Sequence, residues 1–161
     1  MKIKNIIPNI SFLFMILLAL SAKTGQAQSA SDFVLIEPTS TDYEQLQQKY
    51  GANSRVYFNR PGKPALYVYG QMAPTDLVNN LFIYTPTTPG TLKFASGEIN
   101  AGNIDEFATD LSQLTKSVKG SLIIHSTDVF SGASGTALKS KLEALCGVTV
   151  TMSVNIEPFS N

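Results

Sequence analysis

The chain has 161 residues, 43% of them hydrophobic, and its 12 basic and 12 acidic side chains cancel. That length and apolar content suit one domain with one core. Only Arg55 and Arg60 carry guanidinium groups, so no basic stripe can follow a phosphate backbone and nucleic acid is excluded as an expected partner.

The opening stretch "MKIKNIIPNISFLFMILLALSAKTGQAQ" has the order of an export signal. Lys2 and Lys4 form a positive start, Phe12 to Leu20 an apolar centre, and Gly25-Gln26-Ala27 a small-residue cleavage site. The apolar centre is well short of the roughly 20 residues a membrane span needs, although a retained N-terminal anchor is the competing reading. Residues 1–27 are therefore expected to be a signal peptide and 28–161 a single α/β domain. The mature protein would be secreted, periplasmic or displayed at the cell surface, with no stable membrane insertion after cleavage. Loss of Lys2, Lys4 and Lys23 leaves it with three net negative charges.

"FVLIE" (33–37) reads as a strand buried on both faces. A helix follows in "TSTDYEQLQQKYG", with Thr41 and Glu44 at capping-box spacing, Tyr43, Leu46 and Tyr50 on one face, and Gly51 at its end. "SRVYF" (54–58) is a second strand and "ALYVYG" (65–70) an extended piece. "APTDLVNN" reads as a short helix starting near Thr75, ahead of the strand "LFIYT" (81–85). "TLKFASGEI" forms a hairpin or an extended arm.

The longest amphipathic pattern is "NIDEFATDLSQLTKSVKG". Asn103 and Glu106 stand at capping-box spacing, Ile104, Phe107, Leu111, Leu114 and Val118 form the apolar stripe, and Gly120 closes it. "SLIIHS" (121–126) has the unbroken apolar run of a central strand, and the loop "TDVFSGASG" leads into the helix "TALKSKLEALCG". In the last strand, "VTVTMSV", valines and Met152 alternate with Thr and Ser, as on a half-exposed strand near an edge. Cys146 is the only cysteine, which excludes an intrachain disulfide. It shares a helical face with Leu138, Leu142 and Leu145 and is expected in the core; an intermolecular disulfide or a reactive thiol is the competing reading.

Alternating strands and helices with crossovers of this length predict a three-layer α/β sandwich, a mainly parallel sheet with helices on both faces, of the caspase-like or flavodoxin-like kind. Ligands of such folds bind beyond the carboxyl ends of the strands. Two loops lie there, "YTPTTPG" and "STDVFSGASG".

Those loops carry a resemblance. "LIIHSTDVFSGASG", "LEALCGVTVTMS" and "LFIYTPTTPGTLKF" make the run from Phe33 to Ser153 similar to a bacterial surface-protein domain of unknown function, found near the N termini of large adhesins. That domain looks like a relative of the caspase, gingipain and clostripain class of cysteine peptidases. The resemblance puts Thr127 where the family has its cysteine, with His125 and Ser126 just before it. Asp128, Val129, Gly132 and Gly135 fall on the family's Asn, Val, Gly and Gly positions, and Gly90, Leu92 and Phe94 also match. The family's histidine falls on Thr85, with Tyr84 as the alternative. A thiol is readily made nucleophilic, whereas a threonine hydroxyl needs a positioned base, and Thr85 is none. The resemblance thus implies a peptidase-like fold with its dyad erased.

"HSTD" could supply a triad of its own around Ser126 or Thr127. Adjacent strand residues point to opposite faces, however, and no second histidine exists to help. One histidine and one core cysteine do not make a usual transition-metal site, and Asp105, Glu106 and Asp110 share the solvated face of one helix. No phosphate-cradling glycine loop is present. No metal or cofactor is expected. The tyrosines at 43, 50, 57, 67, 69 and 84 fit either half-buried strand packing or a partner surface.

The expected function is that of an exported, non-enzymatic binding module of the cell envelope or extracellular space, with an envelope protein, peptide or glycan as partner. Its expected cleft comprises Tyr84, Thr85, Gly90, His125, Ser126, Thr127, Asp128 and Gly132. Bulky substitutions at Gly90 or Gly132 would weaken the partner and spare the fold. The alternative is a hydrolase with a non-standard nucleophile around Thr127.

Overall fold

The computed structural model of the chain describes residues 31–52, 54–60, 78–95 and 97–154. The expected signal peptide, the extended piece at 65–70 with Tyr67 and Tyr69, and the helix start near Thr75 lie outside the described residues.

Five strands form one parallel sheet. β1 (Ser31–Ile36) is followed by helix α1 (Tyr43–Tyr50), then β2 (Val56–Phe58) and β3 (Val78–Tyr84). Three short strands, β4 (Thr87–Thr88), β5 (Thr91–Phe94) and β6 (Gly97–Asn100), make a separate antiparallel sheet. A 3-10 turn at Ile104–Phe107 runs into α2 (Ala108–Thr115), and β7 (Ser121–His125), α3 (Gly132–Cys146) and β8 (Thr149–Ser153) complete the order. The large sheet is ordered β2-β1-β3-β7-β8, with all its pairs parallel. Counted along the sheet's own strands, this is the doubly wound order, which reverses between β1 and β3.

Alternation along the strands sorts the core into two layers. Leu35, Leu81, Ile83, Leu122, Ile124 and Val150 face α2 and α3, where Leu111, Leu114, Leu138 and Leu142 meet them. Val34, Ile36, Phe82 and Tyr84 face the other way, against Tyr43 and Leu46 of α1. Helices thus flank both faces, as the three-layer expectation requires. Leu92, Phe94 and Ile99 of the small sheet join the first layer. Cys146 is buried there as a free thiol, and burial pushes it up to about 11, which makes it a poor nucleophile.

Several local expectations change. Residues 78–80 are strand, not helix, because the Val78 main chain pairs with Ser31 and bridges to Val118. Neither capping box forms. The N-cap of α1 is Asp42, not Thr41, because Tyr43 N–H bonds to the Ser40 carbonyl, which starts the helix after a tight turn. Asn103 turns backward: its Oδ1 accepts from Asn100 N–H and its Nδ2 donates to the Glu98 carbonyl. The helix expected over 103–120 shortens accordingly. β7 is interior, paired on both sides, while β3 holds the middle of the sheet. β8 is an edge strand, as expected, but its apolar face is covered only at Val150; Met152 and Val154, toward its carboxyl end, are exposed.

Gly90 has a structural role. Its φ is +77°, and an added Cβ would lie 2.6 Å from Ser134 Cβ and 2.8 Å from the Ser134 carbonyl carbon. Its N–H bonds to the Val129 carbonyl at 2.8 Å, so the turn after β4 is clamped onto the loop entering α3. Gly132 also has positive φ, +68°, but open space where a Cβ would be. Gly90→Ala should therefore cost about 2–4 kcal/mol, combining left-handed strain with a clash. Gly132→Ala should cost only about 1–2 kcal/mol. Urea unfolding of both variants checks the order, and equal losses would contradict the clamp.

Candidate functional site

At the switch point of the sheet the carboxyl ends of β1, β3, β7 and β8 open into a cleft of about 510 Å³. Its wall includes Tyr84, Thr85, His125, Ser126, Thr127 and Asp128 from the expected set. Gly90 and Gly132 are not part of it; both shape the loops behind it. Ser40, Thr41, Asp42, Pro86, Thr87 and Val154 complete the lining.

The floor is built by sheet register. Ile83 is level with Ile124, so the next residues, Tyr84 and His125, stand side by side on the face toward α1. Their rings stack with centroids 4.3 Å apart and planes 12° from parallel. Tyr84 Oη donates to Asp42 Oδ2 at 3.4 Å, and burial first, then Asp42, raises the phenol's pKa. Burial lowers that of His125, against smaller raising influences from the Ser153 main chain and Asp42. His125 Nδ1 is a buried side-chain atom with no hydrogen-bond partner among the described residues. A proton placed there would have no acceptor, consistent with a neutral ring.

The strand-end hydroxyls serve the loops. Thr85, at the expected histidine position, is 3% exposed, and its hydroxyl donates to the Lys93 carbonyl. Ser126 Oγ accepts from the N–H groups of Asp128 at 3.1 Å and Val129 at 3.0 Å. Thr87 Oγ1 lies 2.7 Å from the same oxygen. Thr127 is exposed, and its hydroxyl has no hydrogen-bond partner among the described residues. An oxyanion beside Thr127 would need converging main-chain donors. The two amides that follow it already point at Ser126, and Ser131 N–H bonds to the Asp128 carbonyl. Among the described residues, the Asp128 and Val129 amides are therefore committed to Ser126 and not to Thr127.

Sequence reading missed a buried clamp beside the cleft. Glu37 is fully buried, with Oε1 accepting from Asn59 Nδ2 at 2.9 Å and Oε2 from Ala95 N–H at 3.2 Å. Tyr43 Oη adds a 2.7 Å bond to the Asn59 carbonyl. Together these tie the ends of β1 and β2 to the β5–β6 hairpin. The available signal was an acidic residue closing an apolar run, which burial requires to be hydrogen-bonded. Among the described residues no group of three or more His, Cys, Asp or Glu side chains could hold a metal ion. No helix among them is long and apolar enough to cross a membrane.

The neutral state of His125 has a pH signature. Its folded pKa lies below the ordinary imidazole value of 6.5, so on acidification the unfolded chain takes the proton first. This stability is present in full above 6.5 and is lost as the pH falls through the folded value. Unfolding free energy should drop between about pH 7.5 and pH 5.5, and His125→Phe, which keeps a ring beside Tyr84, should flatten that drop. An unchanged slope in the variant would show that His125 is not the group responsible.

Comparison with known proteins matches the chain to a family described as Domain of unknown function (DUF4347), over residues 33–157. No curated protein matches the chain, and no solved structure matches it. The matched span takes in both described sheets except the first two residues of β1, helices α1 to α3, and the strand ends of the cleft. The chain belongs to the DUF4347 family.

Proposed function

We propose that this chain is an exported, non-catalytic relative of the caspase-type peptidases, whose strand-end cleft binds an envelope or extracellular partner. The observation that carries the reading is the hydrogen-bond state around Thr127. Its hydroxyl has no proton acceptor among the described residues, and the amides of Asp128 and Val129 are spent on Ser126. General-base activation and oxyanion stabilisation are the two largest contributions to acyl transfer, and both lack their groups here. The cleft itself persists at about 510 Å³, within the range of ligand sites. Export is supported by the basic start, short apolar centre and small-residue end of residues 1–27. Kinship with the peptidases is supported by the alignment of Thr127 and the glycines at 132 and 135 with the family pattern. A place in adhesin-like surface proteins follows from the same resemblance.

Incubation of the mature protein with fluorophosphonate and other serine- or threonine-directed probes, read by mass spectrometry, should leave Ser126 and Thr127 unmodified. A broad peptide and ester library should stay uncleaved. Labelling at either residue, abolished by its alanine substitution, would replace the binding reading with a hydrolase.

A further inference from the structure

His125 is the chain's only histidine, and neighbouring strands hold its ring from both sides. Tyr84 of β3 stacks on one face of it with centroids 4.3 Å apart. From β8, the Ser153 main chain hydrogen-bonds the imidazole. Nδ1 has no partner among the described residues, so that bond falls to Nε2. The neutral ring therefore carries its proton on Nε2 and keeps a bare lone pair on a buried Nδ1.

Few charged or titratable groups face this ring. Asp42, at the start of α1, is the carboxylate whose charge reaches His125, and Tyr84 Oη already donates to it at 3.4 Å. Asp128, on the loop after β7, lines the same cleft but accepts from Ser126 Oγ. No lysine or arginine lies in the cleft wall. Burial keeps the ring neutral until the pH is below the ordinary imidazole value of 6.5.

A solvent proton added to Nδ1 creates a charged N–H that has no acceptor where the ring sits. The face of Tyr84 attracts an imidazolium, yet that gain is smaller than the cost of a charged donor left unpaired in a buried place. His125 lines the cleft, so its ring has an exit on that side. Its departure orphans no carbonyl. Ser153 O still accepts from Ser126 N–H at 3.1 Å, and Tyr84 O still accepts from Glu37 N–H and Ser40 Oγ. The bond from Tyr84 to Asp42 is at the weak limit of length, whereas a pair between imidazolium and carboxylate is charge-assisted and stronger.

We infer that the floor of the cleft is an acid-operated latch in which Asp42 changes partner. With His125 neutral, its ring stacks on Tyr84 and the phenol holds Asp42, so the start of α1 stays against the sheet. With His125 protonated, the ring swings out of the stack and takes Asp42 from the phenol, which opens the floor and loosens the first turn of α1. The latch goes beyond the binding reading above and stands whether or not a partner is found.

A single histidine gives a single imidazole signal, so the untagged, 15N-labelled protein is titrated by NMR from about pH 7.5 to about pH 5. The neutral ring should show the Nε2–H tautomer. As it titrates, with a midpoint below 6.5, the Tyr43 and Leu46 amides should shift with the same midpoint while those of Ile83 and Ile124 stay fixed. Asp42 makes no side-chain capping bond, so Asp42→Asn should keep the helix start and lower the His125 midpoint by roughly one pH unit. Tyr84→Phe keeps the stack but frees Asp42, and should raise the midpoint by roughly half a unit to one unit. Amides of α1 that ignore the imidazole titration would overturn the latch. So would a midpoint that falls in Asp128→Asn and not in Asp42→Asn, which gives the role to the other carboxylate. Sheet amides that move together with α1 would also overturn it, since the event would then be global unfolding.

Discussion

Everything at the functional end of this molecule depends on the parallel register around β3. Pairing Ile36 with Tyr84 and Ile83 with Ile124 brings three strands to a level finish, and His125 with Ser153 extends the row to β8. A parallel sheet sends every connection out from the same edge, so loops from four strands meet over that row. Slipping one strand by a single residue would move Tyr84 or His125 to the opposite face and bury it among leucines. The cleft is thus a consequence of strand pairing before it is a consequence of any loop.

The strand-end polar groups divide between structure and surface. Ser126, Thr85 and Ser40 are buried and spend their hydroxyls on main-chain groups, closing the turns that leave the sheet. Thr127, Asp42 and Asp128 face the opening with little or nothing bound to them. In a hydrolase the buried set would be arranged around a reacting atom. Here it is arranged around its own loop, which leaves two carboxylates and one threonine hydroxyl at the opening. This division is the ground on which the binding role is proposed.

The fold was legible because its strands are bounded apolar runs whose alternation assigns each side chain to a face. Both loops of the cleft were legible for the same reason, since each follows such a run. What escaped was everything decided by partners far along the chain. The Glu37–Asn59–Ala95 clamp joins residues up to 58 positions apart, and no local spacing announces it. Gly90 looked like a cleft glycine because it matched a family position, yet its clash partner is Ser134 on another element. The capping boxes failed for a related reason: Asn103 found better-placed partners in Asn100 and Glu98 than in its own helix. Strand start at Val78 depended on main-chain bonds to Ser117 and Lys119, which no propensity reveals.

A double-mutant cycle on Tyr84→Ala and His125→Ala, followed by urea unfolding, tests most directly whether sheet register builds the cleft floor. Side-by-side rings on neighbouring strands predict a coupling of about 0.5–1.5 kcal/mol beyond the separate losses. Losses that simply add, to within about 0.3 kcal/mol, would mean the two rings do not meet and that the strand ends are not level.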